Sequence, residues 1–111
     1  MQYVISGRVE RGDGYGRKIG FPTINLNAGE TTKELPPVGV YAGIVLLDGK
    51  EYRAGVVVGP NYKIDAHLLG YNANAYGKEA TFKINKFLRE YKKFNTEEEL
   101  IIQIKKDMEL C

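Results

Sequence analysis

The stretch VYAGIVLLDGKEYRAGVVV, residues 40–58, carries two apolar runs on either side of Asp48-Gly49. An Asp-Gly pair between such runs is a strong hairpin signal, because the two-residue turn needs positive φ at both central positions and these residues tolerate it. Strands are therefore expected over 40–47 and 51–58, paired with each other. Working outward, residues 2–9 read as a first strand and 21–26 as a second. A further strand covers 63–71, after the turn residues Gly59-Pro60-Asn61 and before a turn through Asn72-Ala73-Asn74. Over 79–85, Ala80, Phe82 and Ile84 alternate with Glu79, Thr81, Lys83 and Asn85, which gives one buried face and one wet face. Short apolar runs divided by turn residues, with thirteen glycines and eight tyrosines, imply a mainly β domain, barrel or sandwich.

The period changes at the end of the chain. Asn95 or Thr96 can cap a helix, Glu97, Glu98 and Glu99 favour its first turn, and Leu100, Ile101, Ile104 and Met108 form an apolar stripe. That stripe reads as packing against the barrel, without a chemical role. Residues 28–38 are polar and contain Pro36-Pro37, so they read as a long surface connection.

A chain of 111 residues supports one compact domain, 1–111. Its longest apolar run, 44–47, is far below a membrane span, and its start lacks the basic and apolar regions of a signal peptide, so a soluble cytoplasmic protein is expected; a monomer is expected as well. The single cysteine, Cys111, permits no internal disulfide and no cysteine metal cluster, and one histidine makes no zinc site. A net charge of +2 does not call for a nucleic-acid partner. The basic run Lys83, Lys86, Arg89, Lys92 and Lys93 reads as solvated surface.

Chemistry concentrates between Gly7 and Asn25, where five glycines stand beside Arg17 and Lys18 and lead into Pro22-Thr23-Ile24-Asn25. Glycine lets backbone amides approach an anion, and the two cations add charge where phosphate oxygens would gather. Thr23 and Asn25 share a strand face and offer hard neutral oxygens, which suits magnesium held by a few protein ligands together with phosphates and water. No Gly-Lys-Ser or Gly-Lys-Thr closes the loop, so this is not a Walker loop. The glycines by themselves fit ordinary turns equally well.

These residues resemble the ATP-dependent riboflavin kinase family, which also forms the C-terminal module of bifunctional FAD synthetases. The family's Gly-x-Val-x-x-Gly, Leu-Gly-Phe-Pro-Thr-Ala-Asn and Gly-Val-Tyr elements appear as Gly7 to Gly12, Ile19 to Asn25 and Gly39-Val40-Tyr41. Tyr76-Gly77, Leu88-Arg89, Lys93-Phe94 and the Ile-x-x-Asp pattern from Ile104 to Asp107 follow in the family's order. The resemblance implies a closed six-stranded antiparallel Greek-key-type β-barrel with a C-terminal α-helix. It implies transfer of the ATP γ-phosphoryl group to riboflavin, giving FMN and ADP, with Mg2+.

By the same resemblance Gly12, Gly14, Gly16, Arg17, Lys18, Gly20 and Thr23 would bind nucleotide, Thr23 and Asn25 the metal, and Tyr76 and Arg89 the flavin. The family's catalytic glutamate falls on Asp65, in Asp65-Ala66-His67-Leu68-Leu69. Aspartate shortens the reach by one carbon–carbon bond, about 1.5 Å, and misplacement on that scale can cost about 100-fold in rate. Only five residues separate Gly59 from Asp65, a shorter loop than the family usually has. From the residues alone Asp65 is equally a surface carboxylate, Arg89 a surface salt bridge and Tyr76 a core aromatic. His67 shares the face of Asp65 and ranks second to it as a catalyst. Two other readings stand beside the kinase: a degenerate barrel that binds flavin or nucleotide without turnover, and a small barrel that binds single-stranded nucleic acid.

Overall fold

A computed structural model describes residues 3–10, 23–27, 36–60, 63–71 and 77–111. Six strands, β1 (Tyr3–Glu10), β2 (Ile24–Asn27), β3 (Gly39–Leu47), β4 (Lys50–Val58), β5 (Lys63–Leu68) and β6 (Glu79–Arg89), precede one helix, α1 (Glu97–Leu110). They close into a barrel in the order β1-β2-β5-β4-β3-β6, with every neighbouring pair antiparallel. Within it β3, β4 and β5 run as consecutive neighbours and β6 returns beside β3, which is the Greek-key arrangement.

The hairpin at the centre of the sequence forms as expected, with Leu47 opposite Lys50 and the turn made by Asp48 at φ 53° and Gly49 at φ 75°. Positive φ at both positions matches the right-handed twist of the flanking strands. Along β5 and β6 the alternation of side chains sends Ile64, Ala66, Leu68, Ala80, Phe82 and Ile84 inward. There they meet Ile5, Val9, Ile24, Leu26, Val45, Leu47 and Val56 in one core.

Several strand ends differ from the sequence reading by a residue, and the C-terminal ends of β5 and β6 by more. β5 stops at Leu68 instead of running to 71, and Gly70 takes φ 83°, a left-handed conformation that ends the ladder. β6 runs on to Arg89, four residues past the alternating segment, because its register on β3 shifts twice. Gly43 lies opposite Ile84, Ala42 opposite Lys86, Tyr41 opposite Phe87 and Val40 opposite Arg89, so the register skips Asn85 and Leu88, the bulged residues. Bulges of this kind interrupt the two-residue period that identifies a strand in sequence, and they re-aim the side chains beyond them.

Thr96, not Asn95, caps α1: its side chain accepts a hydrogen bond from Glu99 N at 3.2 Å. The three glutamates of the first turn face the positive end of the helix dipole. The helix lies on the outside of β4, where Gly55 has no Cβ to collide with the Met108 methyl group. No helix among the described residues is long and apolar enough to cross a membrane.

Candidate functional site

One register row crosses five strands of the barrel. Asn25 on β2 is opposite Asp65 on β5, Asp65 is opposite Val57 on β4, Val57 is opposite Val40 on β3, and Val40 is opposite Arg89 on β6. Neighbouring strands are about 4.7–4.9 Å apart, so the row spans roughly 19 Å. All five residues line a single cleft of about 470 Å³ between the barrel and α1. The two bulges of β6 complete the row, since with an unbroken register Val40 would face Phe87.

Thr23, two residues before Asn25, and His67, two residues after Asp65, line the same cleft. Extending the β2–β5 ladder by one pair would set Thr23 opposite His67, which itself lies opposite Gly55. Side chains two apart on a strand share a face, so the Thr23–Asn25 pair and the Asp65–His67 pair confront one another. Lys63, two residues before Asp65, also borders the cleft, and its carbonyl accepts a hydrogen bond from Gly59 N at 2.7 Å. That bond ties down both ends of the short connection that leads into Asp65.

The opposite half is apolar. Val40 and Val57 form one side, and Leu100, Ile104 and Met108 of α1 form the other, with Tyr91 and Phe94 from the connection between β6 and α1. The helix stripe that the sequence assigns to packing is thus a wall of the cleft. A stripe of this spacing looks the same whether it meets core or ligand, so no sequence signal separates the two.

Arg89 is committed to a specific contact. Its Nε donates to Asp107 Oδ1 at 3.0 Å and its Nη2 to Asp107 Oδ2 at 2.9 Å, a bidentate pair with a carboxylate only 4% exposed. Nη1 donates to Glu90 O at 3.1 Å, and the guanidinium lies 5.6 Å from the centre of the Phe94 ring. Gln103 Nε2 donates to Asp107 Oδ1 at 3.0 Å. Asp107, which sequence reasoning noted only as the end of an Ile-x-x-Asp pattern, is the sole buried residue of α1. A charged residue one turn from Ile104 within an apolar stripe was the signal available.

With Arg89 and Asp107 neutralising each other, the remaining charged lining is Lys63, Lys92 and Lys93 against Asp65, a positive surround that suits phosphate. Thr23 and Asn25 are hard oxygen donors on one edge of the cleft, beside a carboxylate. That donor set fits a divalent ion that keeps water and phosphate in its coordination shell. Of the residues expected at the site, Thr23, Asn25, Asp65 and Arg89 come together. Gly12, Gly14, Gly16, Arg17, Lys18, Gly20 and Tyr76 lie outside the described residues.

The riboflavin kinase (flavokinase) family model matches residues 1–111. The bifunctional riboflavin kinase/FMN adenylyltransferase of Listeria monocytogenes is 35% identical over 113 residues, which cover 95% of this chain and 36% of the relative. The chain thus spans about a third of the length of the bifunctional relatives it matches. A crystal structure described as a macrolide-efflux protein from Streptococcus pneumoniae superposes with a TM-score of 0.90 at 30% identity, over 96% of this chain and 37% of that one. Riboflavin kinase from Trypanosoma brucei superposes at 0.73 and 18% identity, over 98% of this chain and 74% of its own, a likeness of fold. By the match over its whole length, this chain belongs to the riboflavin kinase family.

Proposed function

We propose that this chain transfers the γ-phosphoryl group of ATP to the terminal ribityl hydroxyl of riboflavin, giving FMN and ADP. The observation that carries this reading is the register row from Asn25 through Asp65 to Arg89. It puts the residues suited to metal, proton transfer and an apolar ring into one cleft, in that order.

The isoalloxazine ring fits the apolar half between Val40 and Val57 on the barrel and Ile104 and Met108 on the helix. Its ribityl chain then extends along the row toward Asp65. The Asp65 carboxylate accepts a hydrogen bond from the terminal hydroxyl, orients it, and takes its proton as the oxygen–phosphorus bond forms and the bond to ADP breaks. Such transfer depends mostly on positioning and charge neutralisation, which is why few groups suffice. Thr23 and Asn25 would hold Mg2+, which when bound neutralises charge on the phosphate oxygens. Lys63, at the rim, adds positive charge on the same strand face as Asp65.

Asp65 stands where the family has glutamate, and the shorter side chain needs a well-placed backbone. Its pairing with both Asn25 and Val57, and the Gly59–Lys63 hydrogen bond just upstream, support that reading. The reading is of a single domain, acting as a cytoplasmic monomer on small molecules without nucleic acid. Purified chain incubated with riboflavin and ATP should form FMN only when Mg2+ is present, resolved chromatographically. Riboflavin binding with no FMN at any Mg2+ concentration would instead make it a binding barrel.

A further inference from the structure

Asp107 is the most conspicuous side chain that phosphoryl transfer leaves unused. A buried carboxylate is costly unless its oxygens are fully engaged. Here three side-chain donors, Arg89 Nε, Arg89 Nη2 and Gln103 Nε2, converge on it. Arg89 is in turn held by Glu90 O and lies over Phe94, so one carboxylate gathers the end of β6, the connection after it and the middle of α1.

Among the described residues one other polar tie joins the helix to the barrel, at its far end, where Arg53 on β4 donates through Nε and Nη2 to the carbonyl of Cys111. The helix's apolar residues Leu100, Ile101, Ile104 and Met108 are half-buried, with the Met108 methyl group seated over Gly55, and Ile102 is 55% exposed. Of the two polar ties only Arg89–Asp107 is made by side chains that line the cleft, so it is the one that bears on the separation between the helix side (Leu100, Ile104, Met108) and the barrel side (Val40, Val57).

We propose that Asp107, braced by Gln103, is a positioning residue for the flavin: it fixes the width of the apolar slot that takes the ring, through Arg89, without touching the transferred phosphoryl group. This rests on the cleft being the riboflavin site. A charged hydrogen-bonded pair holds a geometry far better than a neutral one. Losing it should therefore loosen the slot and weaken ring binding while the Asn25–Asp65 end, built into the barrel ladder, keeps its shape.

The test uses the full chain and begins with riboflavin binding to the wild-type protein, followed by flavin fluorescence without ATP. Absence of wild-type binding would remove the site reading itself, independently of Asp107. Given wild-type binding, Asp107→Asn should raise the riboflavin Kd about 10- to 100-fold, in line with loss of a charged hydrogen bond. Gln103→Leu, which leaves no unpaired charge and alters no cleft-lining side chain, should raise it in the same direction by a smaller factor. In both, kcat at saturating riboflavin and the KM for ATP should stay near wild type. An unchanged riboflavin Kd in folded Gln103→Leu, or a kcat and ATP KM that deteriorate along with flavin binding, would overturn the proposal. If Asp107→Asn fails to fold, the Gln103→Leu result decides.

Discussion

The two halves of the cleft are built by different means. On one side Asn25 and Asp65 face each other across a hydrogen-bonded ladder, so their spacing is that of the β-sheet itself. On the other, Leu100, Ile104 and Met108 ride on a helix that meets the outside of the barrel and is held by side chains, by the Arg89–Asp107 pair within the cleft and by Arg53 on the Cys111 carbonyl at its end. Moving a residue within the first half means breaking a ladder of backbone hydrogen bonds. Moving the second half needs only side chains to let go. Chemistry that fails when atoms shift by an ångström belongs on the first, and a surface that must admit and release a flat ring belongs on the second.

That contrast can be broken from the ladder side first. Asp65→Asn removes the proposed proton acceptor and keeps the shape, so turnover should fall by about 10²–10⁴-fold, the range for general-base loss, while riboflavin binding changes far less. Asp65→Glu should keep turnover, because the family's longer carboxylate fits the same row. Equal loss of binding and turnover in Asp65→Asn would mean that the row shapes the pocket and does not do the chemistry.

Thr23→Ala and Asn25→Ala come next. Each removes one neutral oxygen donor at the edge of the ladder, and each should raise the Mg2+ and ATP requirement on the order of 10-fold, the scale of one lost hydrogen bond to a charged group. Thermal stability should hardly move, since Thr23 is exposed and Asn25 only half-buried. Full activity in both variants would remove the metal assignment.

The smallest effect expected is on the helix side. Burial, and after it the nearby Asp107 charge, push the Cys111 thiol pKa up, and its Sγ donates to Asp107 O at 3.2 Å. A raised pKa in the fold favours the neutral thiol. Its small contribution to stability is therefore complete below the unfolded thiol's pKa and is lost as pH rises through the folded one. Alkylation of Cys111 should be slower than that of a free thiol at neutral pH and should speed up in Gln103→Leu, where the helix is less firmly pinned.

Much of this architecture is legible in the sequence, for reasons that differ between the halves. Asp48-Gly49 announces its hairpin because the turn chemistry is local, and Ala80-Thr81-Phe82-Lys83-Ile84 announces a strand because burial alternates. The pairing of Asn25 with Asp65 is not local. They lie 40 positions apart in the chain, and only the family resemblance placed them in one site. Past Ile84 the bulges at Asn85 and Leu88 leave residues 85–87 all exposed, so the extension of β6 that delivers Arg89 has no periodic signature. The partner of Arg89 was hidden for another reason: Asp107 is a charge on an apolar helix stripe, and what it binds depends on where the helix docks.

The most direct test of where the two substrates meet is a backbone amide chemical-shift titration of the chain with riboflavin, then with ATP and Mg2+. Riboflavin should perturb Val40, Val57, Ile104 and Met108, and the nucleotide with metal should add Asn25 and Asp65 at the other end of the same row. Perturbations gathered instead around the Asp48-Gly49 turn and β1, with the row unmoved by either ligand, would contradict the account.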